Sequence, residues 1–389
     1  MDDKKALQTR LVHSDYRAPD GFSALQPAIH YASTVVFDNV AAMRSRQWEH
    51  KHSYTYGLHG TPTTFTLEAR LAEIEGGTHC VLTGSGLSAL TVVNFAFLKS
   101  GDHLLVPDNA YGPNRELAAW LSRDFGVAVD YYDPLIGAGI AGLIRDNTRL
   151  VWTEAPGSIS MEVPDLPAIC AVARARGIPV ALDNTWSAGI ALRAFDLGVD
   201  IVMHALTKYQ SGGSDILMGA LITRDEALNQ RLMTAHMRTG QGVSFDDAYL
   251  VLRSLSSLKL RFDAHDAAAR KVAHWLKARP EILRVLHPAL PDCPGHDNWT
   301  RDFTGAGGLF SVIFDPRYSM AQTDRFVDSL KLFKIGFSWG GAHSLCVTYR
   351  MSGIREVWQE EGSLVRFNIG LEAADDLIAD IEQALGRMA

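Results

Sequence analysis

The sequence predicts an α/β protein: a large, mostly parallel sheet with helices on both faces, followed by a small α+β C-terminal domain. Three observations predict it. Strand and helix patterns alternate from residue 67 to about residue 218. Each apolar strand in that stretch ends in a polar or glycine-bearing turn. Beyond residue 245 the pattern changes to long helices followed by short strands. Alternation of the first kind buries parallel strands beneath crossover helices. With 389 residues the chain is also too long for one ordinary core. The expected division is an arm over residues 1–59, a large domain over 60–245 and a small domain over 246–389.

The elements follow in order. The arm is mixed in composition, with Pro19, Gly21, Pro27 and the polar cluster His50-Lys51-His52. Apolar runs at 80–82, 102–106, 150–153, 178–182 and 201–203 read as buried strands. Helical patterns at 87–98, 114–124 and 167–176 lie between them. Residues 244–279 read as one or two long helices ended by Pro280. Short strands at 308–314 and 365–370, with helices at 322–330 and 376–385, complete the small domain.

Composition narrows the function classes. A net charge of −7, spread along the chain, leaves no basic stripe for nucleic acid. Met1-Asp2-Asp3-Lys4-Lys5 has no apolar signal core, and the most apolar runs are too short to span a bilayer. Cys80, Cys170, Cys293 and Cys346 show neither a Cys-x-x-Cys pair nor a disulfide framework. A reducing cytoplasm is the expected location.

In an open α/β sheet, ligands bind beyond the carboxyl ends of the strands. The turns that would converge there begin with Thr83-Gly84-Ser85-Gly86-Leu87-Ser88-Ala89. Bare N–H groups at a helix start hold anions. Gly84-x-Gly86-x-x-Ala89 also matches the dinucleotide fingerprint, and Asp108 follows as an acidic residue. A phosphate nest, a dinucleotide site and a plain tight turn are all open on this turn alone.

Asp183 and Lys208 discriminate between these readings. Pyridoxal 5′-phosphate (PLP) needs a lysine for its aldehyde, a carboxylate at its pyridine nitrogen and a donor-rich phosphate nest. Asp183 ends one apolar strand, and Lys208 follows the next. Thr207 and the glycine turn can both give donors to one phosphate. A dinucleotide site requires neither Lys208 nor Asp183, although a nucleotide-binding oxidoreductase stays as the alternative of a different class. His50-x-His52 and the group His287, Cys293, His296 lack further ligands at zinc-site spacing, so no metal is expected.

Longer stretches carry a family resemblance. They include Tyr56-Gly57-Leu58-His59-Gly60-Thr61, Glu154-Ala155-Pro156-Gly157-Ser158-Ile159-Ser160-Met161-Glu162-Val163 and Asp183-Asn184-Thr185-Trp186. Ala205-Leu206-Thr207-Lys208-Tyr209, Ser338-Trp339-Gly340-Gly341 and Arg366-Phe367-Asn368-Ile369-Gly370-Leu371-Glu372 continue them. The chain resembles the Cys/Met-metabolism PLP enzymes, and within them the bacterial cystathionine β-lyases. The resemblance implies the PLP-dependent transferase fold type I, of the aspartate-aminotransferase kind. It implies a carbon–sulfur lyase that splits L-cystathionine by β-elimination into homocysteine, pyruvate and ammonia. A cysteine desulfhydrase, a γ-lyase or a cystathionine γ-synthase of the same fold is the alternative.

The same resemblance implies roles. Tyr111 stacks on the pyridine ring and shares proton transfer with Lys208. Gly86 and Leu87 cradle the phosphate with Thr207. Arg366 grips the substrate carboxylate, with Ser338 and Trp339 beside it. Tyr56, in the arm, reaches the active site of a neighbouring subunit in a homotetramer. Two departures stand out. Leu58 occupies a position where relatives usually carry a phosphate-binding arginine. Ala342-His343-Ser344 follows Ser-Trp-Gly-Gly, where the family's cystathionine β-lyases often have Tyr-Glu-Ser.

Overall fold

The computed structural model describes residues 5–13, 16, 18, 20–48, 51, 53–355, 358 and 360–388. Short helices α1 (Leu7–Val12) and α2 (Val40–Arg44) precede α3 (Pro62–Glu75). Pro62 opens α3 with its fixed φ, and Gly76, at φ 81°, ends it in the left-handed conformation. The N-terminal stretch is not wholly apart from the core, because Leu11 of α1 is buried against it.

The larger sheet comes next. Its strands are β1 (His79–Thr83), β2 (His103–Pro107), β3 (Ala128–Tyr132), β4 (Thr148–Glu154), β5 (Val180–Asp183), β6 (Ile201–Ala205) and β7 (Gly219–Thr223). Helices α4 (Gly86–Phe97), α5 (Gly112–Phe125), α6 (Leu166–Ala175) and α7 (Glu226–Arg238) connect and cover them. The spatial order is β1-β7-β6-β5-β4-β2-β3. Strands β6, β5, β4, β2 and β3 run parallel, and β7 lies antiparallel between β6 and β1. Helices on both faces explain the unbroken apolar runs: every residue of β2 and of β7 is buried. Each fully buried Val, Leu or Ile adds about 1.5–3 kcal/mol to the collapse.

The expected long helical region is α8 (Phe245–Ser254), a 3-10 turn at Leu255–Ser257 and α9 (Leu258–Lys277). Ser244 caps α8, and Asp246 and Asp247 complement the dipole in its first turn. The smaller sheet has the order β10-β11-β12-β9-β8. Its strands are β8 (Ile282–Leu286), β9 (Leu309–Phe314), β10 (Lys334–Ile335), β11 (Leu345–Tyr349) and β12 (Leu364–Asn368). Helices α10 (His296–Asp302), α11 (Met320–Ser329) and α12 (Ala374–Leu385) accompany it. Among the described residues no helix is long and apolar enough to cross a membrane.

One loop joins the two sheets where their site-bearing ends meet. After β4, residues 157–163 receive Arg366 Nη1 on Ser158 O at 3.1 Å and Ser311 Oγ on Ile159 O at 2.6 Å. Val163 N–H donates to Pro294 O at 3.1 Å. The small sheet is thereby pinned over the rim of the large one.

Candidate active site

Lys208 lies in the turn after β6 and is largely enclosed. Its neighbour Tyr209 is fully buried, stacks edge-on against Phe262 and accepts the Gly308 N–H at 2.6 Å through its hydroxyl. That anchor leaves Lys208 Nζ facing the small domain, 2.8 Å from Ser338 Oγ and 5.1 Å from the Trp339 ring centre. Gly340 makes this approach possible. It has φ 78°, and a Cβ there would sit 2.9 Å from Tyr209 N. Burial, and then the Arg366 cation, push the Lys208 amine down to about 8, while Asp183 acts the other way.

Asp183 ends β5 beside Glu154, which ends β4 in register with it. Asp183 Oδ1 accepts both the N–H and the hydroxyl of Thr185, at 3.0 and 2.5 Å. Burial raises its pKa, whereas these donors and the positive field of His204 and Lys208 favour the anion. Behind it, His204 Nε2 meets Glu75 at 2.7 Å, and Glu75 accepts Asn184 Nδ2 at 2.9 Å. Both members of that pair are fully buried.

The helix start expected to receive an anion is the N-terminus of α4. Ser85 caps it by accepting the Ser88 N–H at 3.0 Å. The N–H groups of Gly86 and Leu87 belong to the first turn, which has no intrahelical acceptors. Gly86 lies so close to β6 that a Cβ would meet Ala205 Cβ at 2.8 Å. Thr207 stands nearby with its hydroxyl engaged by Met218, accepting the N–H at 3.2 Å and donating to the carbonyl at 3.4 Å.

Tyr111 precedes α5, and its N–H donates to Glu154 Oε2 at 2.8 Å. Its pKa is raised, first by burial and then by Asp183 and Glu154. Arg366 on β12 is buried, lies 5.2 Å from the Tyr349 ring centre and bonds to Ser158 O. Among the described residues no carboxylate lies within ion-pair distance of Arg366. A buried cation without an acidic partner can receive an anion that arrives with a ligand.

A largely enclosed amine, an adjacent strand-end carboxylate, an open helix N-terminus and an arginine with no carboxylate at ion-pair distance among the described residues fit PLP and an amino-acid carboxylate together. The match covers nearly the whole chain: residues 8–386 fit the family of Cys/Met metabolism PLP-dependent enzymes. The chain belongs to that family. This Cys/Met-metabolism enzyme is therefore PLP-dependent. It is 38% identical to cystathionine β-lyase of Escherichia coli K12, with all of both chains covered. It is 41% identical to cystathionine β-lyase of Bordetella avium over 92% of this chain and 91% of the other. A solved cystathionine γ-synthase from Xanthomonas oryzae pv. oryzae superposes with a TM-score of 0.89 at 30% identity, covering 99% of this chain and 98% of the other.

Not every expected site residue joins the Lys208 group within one chain. Tyr56 is 46% exposed and touches Ser33 and His59 instead. With Leu58 and Gly242 it lines a separate cleft of about 300 Å³. Asp108, the acid of the dinucleotide alternative, pairs with Arg355 at 2.9 Å, and Arg355 also bonds to Glu162. His287 packs on Phe310, Cys293 Sγ donates to Met161 O, and His296 Nδ1 lies 2.8 Å from Pro288 O. His50 and His52 lie outside the described residues. The sequence reading assigned no role to Glu154, Glu75, His204 or Arg355, although it placed Glu154 and His204 at strand ends on the rim. Glu154 carried a usable signal, since it ends a strand as Asp183 does.

Proposed function

We propose that this enzyme is a carbon–sulfur lyase that cleaves L-cystathionine by β-elimination, giving homocysteine, pyruvate and ammonia. The observation that carries the reading is the largely enclosed Lys208 amine, held at Ser338 and Trp339 and subject to both the Arg366 cation and the Asp183 carboxylate. The curated relatives named above supply the substrate. Lys208 would bind the cofactor covalently, Asp183 would meet its ring nitrogen, and Gly86, Leu87 and Thr207 would take its phosphate. Bound there, the cofactor would supply a sink for the electron pair left at the substrate Cα.

The protein's own groups do the rest. Arg366 orients the substrate by its α-carboxylate, with Ser338 and Trp339 at its side. Lys208 Nζ takes the substrate Cα proton. An amine pushed down to about 8 is suited to that exchange near neutral pH. Tyr111 or Lys208 returns a proton to the departing sulfur. Water then converts the three-carbon fragment to pyruvate and ammonia. The proposal includes a cytoplasmic homotetramer in which Tyr56 completes a neighbour's site. The exposure of Leu25, Val36 and Leu217, at 94%, 88% and 70% in a single chain, supports burial in such an assembly.

A γ-lyase, a cysteine desulfhydrase or a γ-synthase is the second reading, favoured by Ala342-His343 at the family's Tyr-Glu positions. The test is a steady-state panel of cystathionine, cysteine and homocysteine, assayed for pyruvate and 2-oxobutyrate. Pyruvate from cystathionine at the highest kcat/KM is expected. Dominant 2-oxobutyrate refutes β-elimination. Borohydride reduction followed by peptide mapping must place the label on Lys208.

A further inference from the structure

Glu154 stands where the parts of the proposed site meet. It is 6% exposed. Oε2 accepts the Tyr111 N–H at 2.8 Å, and Oε1 accepts the Ser158 hydroxyl. The Ser158 carbonyl in turn accepts Arg366 Nη1 at 3.1 Å. One carboxyl group thus links the start of α5 in the large domain to β12 in the small one. Tyr111 is 41% exposed, and its carbonyl accepts the Asn114 and Arg115 N–H groups at 2.8 and 3.3 Å. Arg366 has this carbonyl and the Tyr349 ring as its recorded partners.

We infer that Glu154 is a positioning residue that sets Tyr111 and Arg366 relative to one another, coupling the aromatic face of the cofactor site to the carboxylate receptor. The inference rests on the roles given to those two residues above.

The protonation of Glu154 supports the arrangement. Burial, and then the neighbouring Asp183 carboxylate, push its carboxyl group up to about 8. Of two adjacent strand-end acids, one must hold the proton near neutrality. Asp183 has two donors from Thr185 and the fields of His204 and Lys208 to favour its anion. Asp183 acts on Glu154 as a like charge and favours its neutral form, against the donors from Ser158 and Tyr111. A neutral Glu154 keeps an oxygen for the Tyr111 N–H without adding a second negative charge beside Asp183. Glutamine has the same shape and neutrality, which makes Glu154→Gln the conservative control.

The test uses the holoenzyme and the variants Glu154→Ala, Glu154→Gln, Arg366→Ala and Glu154→Ala/Arg366→Ala. The first readout is visible circular dichroism of the bound cofactor, which reports ring environment without turnover. The second is KM against kcat for cystathionine. Glu154→Ala is expected to change the visible band with cofactor still bound and to raise KM about tenfold, the scale of losing a buried hydrogen-bond partner. Glu154→Gln should restore the wild-type band and most of KM. In the Arg366→Ala background, Glu154→Ala should add no more than about twofold to KM, because both changes act through one contact. Full additivity, or a visible band unchanged by Glu154→Ala, overturns the inference. So does a Gln variant as defective as the Ala variant. If cystathionine is not the substrate, only the kinetic arm is lost; the spectral arm still decides.

Discussion

The Lys208 amine rests 2.8 Å from the Ser338 hydroxyl, and Ser338 holds a backbone φ of 115° that residues with side chains seldom adopt. The contact crosses between the two domains. Ser338 precedes Trp339 and Gly340, and Gly340 packs directly on the backbone of Lys208 and Tyr209. The small domain therefore delivers a hydrogen-bond acceptor, an aromatic face and a cation to one amine.

The first prediction concerns that amine. Burial and Arg366 both disfavour its charged form, which sets it at about 8. In cofactor-free protein, the rate of borohydride-trapped imine formation with added PLP should rise with pH and level off above about pH 8. Arg366→Ala removes a nearby cation, so the midpoint should move upward. A wild-type midpoint near the ordinary lysine value of about 10.4 refutes the enclosure argument.

Asp183→Asn tests the strand-end carboxylate. Asparagine keeps the shape and can still meet Thr185, so cofactor retention should persist. The neutral amide no longer favours a protonated ring nitrogen. The loss falls mainly on the transition state, so kcat should drop by roughly 3 kcal/mol or more. A kcat within a few-fold of wild type removes Asp183 from its proposed role.

Among the described residues Arg366 is buried without a carboxylate at ion-pair distance, so we expect its removal to cost ligand binding rather than an internal ion pair. Arg366→Ala should lower kcat/KM by about 2–5 kcal/mol, with little change in cofactor affinity. Arg366→Lys should not rescue it, since an ammonium cannot form the planar fork. Loss of the cofactor in either variant would make Arg366 a structural residue.

How much of this was legible depended on burial and on distance along the chain. Strands such as β2 and β4 are enclosed on both faces and announce themselves as apolar runs. The edge strand β3 was missed because one side meets solvent: Asp130 pairs there with Arg145, and Tyr131 is exposed. Strand β7 was missed because it begins at Gly219, directly after the turn that follows Lys208. Asp183 and Lys208 could be read because strand ends point to one rim whatever the details. Arg355 could not, since its partner Asp108 lies 247 residues away and nothing local encodes the pairing. Glu154 was visible as a position, but its link to Tyr111 and Arg366 needed coordinates.

The last prediction concerns Leu58, where a family arginine is absent. A cationic His59 beside it is one way to restore a phosphate contact. The geometry argues against that compensation. His59 Nδ1 lies 2.5 Å from Thr55 Oγ1, and the ring packs against Trp48 and Tyr56 at 5.8 and 6.1 Å. Burial, and then the Arg46 cation, lower its pKa below the ordinary value. The imidazole is therefore neutral at and above neutral pH. Leu58 itself reaches toward Gly242, with Cδ1 3.3 Å from where a Cβ would stand. We expect Leu58 to serve as packing, and the helix start, Thr207 and the covalent link to retain the cofactor. PLP dissociation constants should then be equal for wild type and His59→Ala from about pH 7 to about pH 9, because a neutral ring carries no charge to lose. Affinity that falls with rising pH in wild type, and is flat in His59→Ala, would make His59 the compensating cation. In that case Leu58→Arg should tighten PLP in the His59→Ala background.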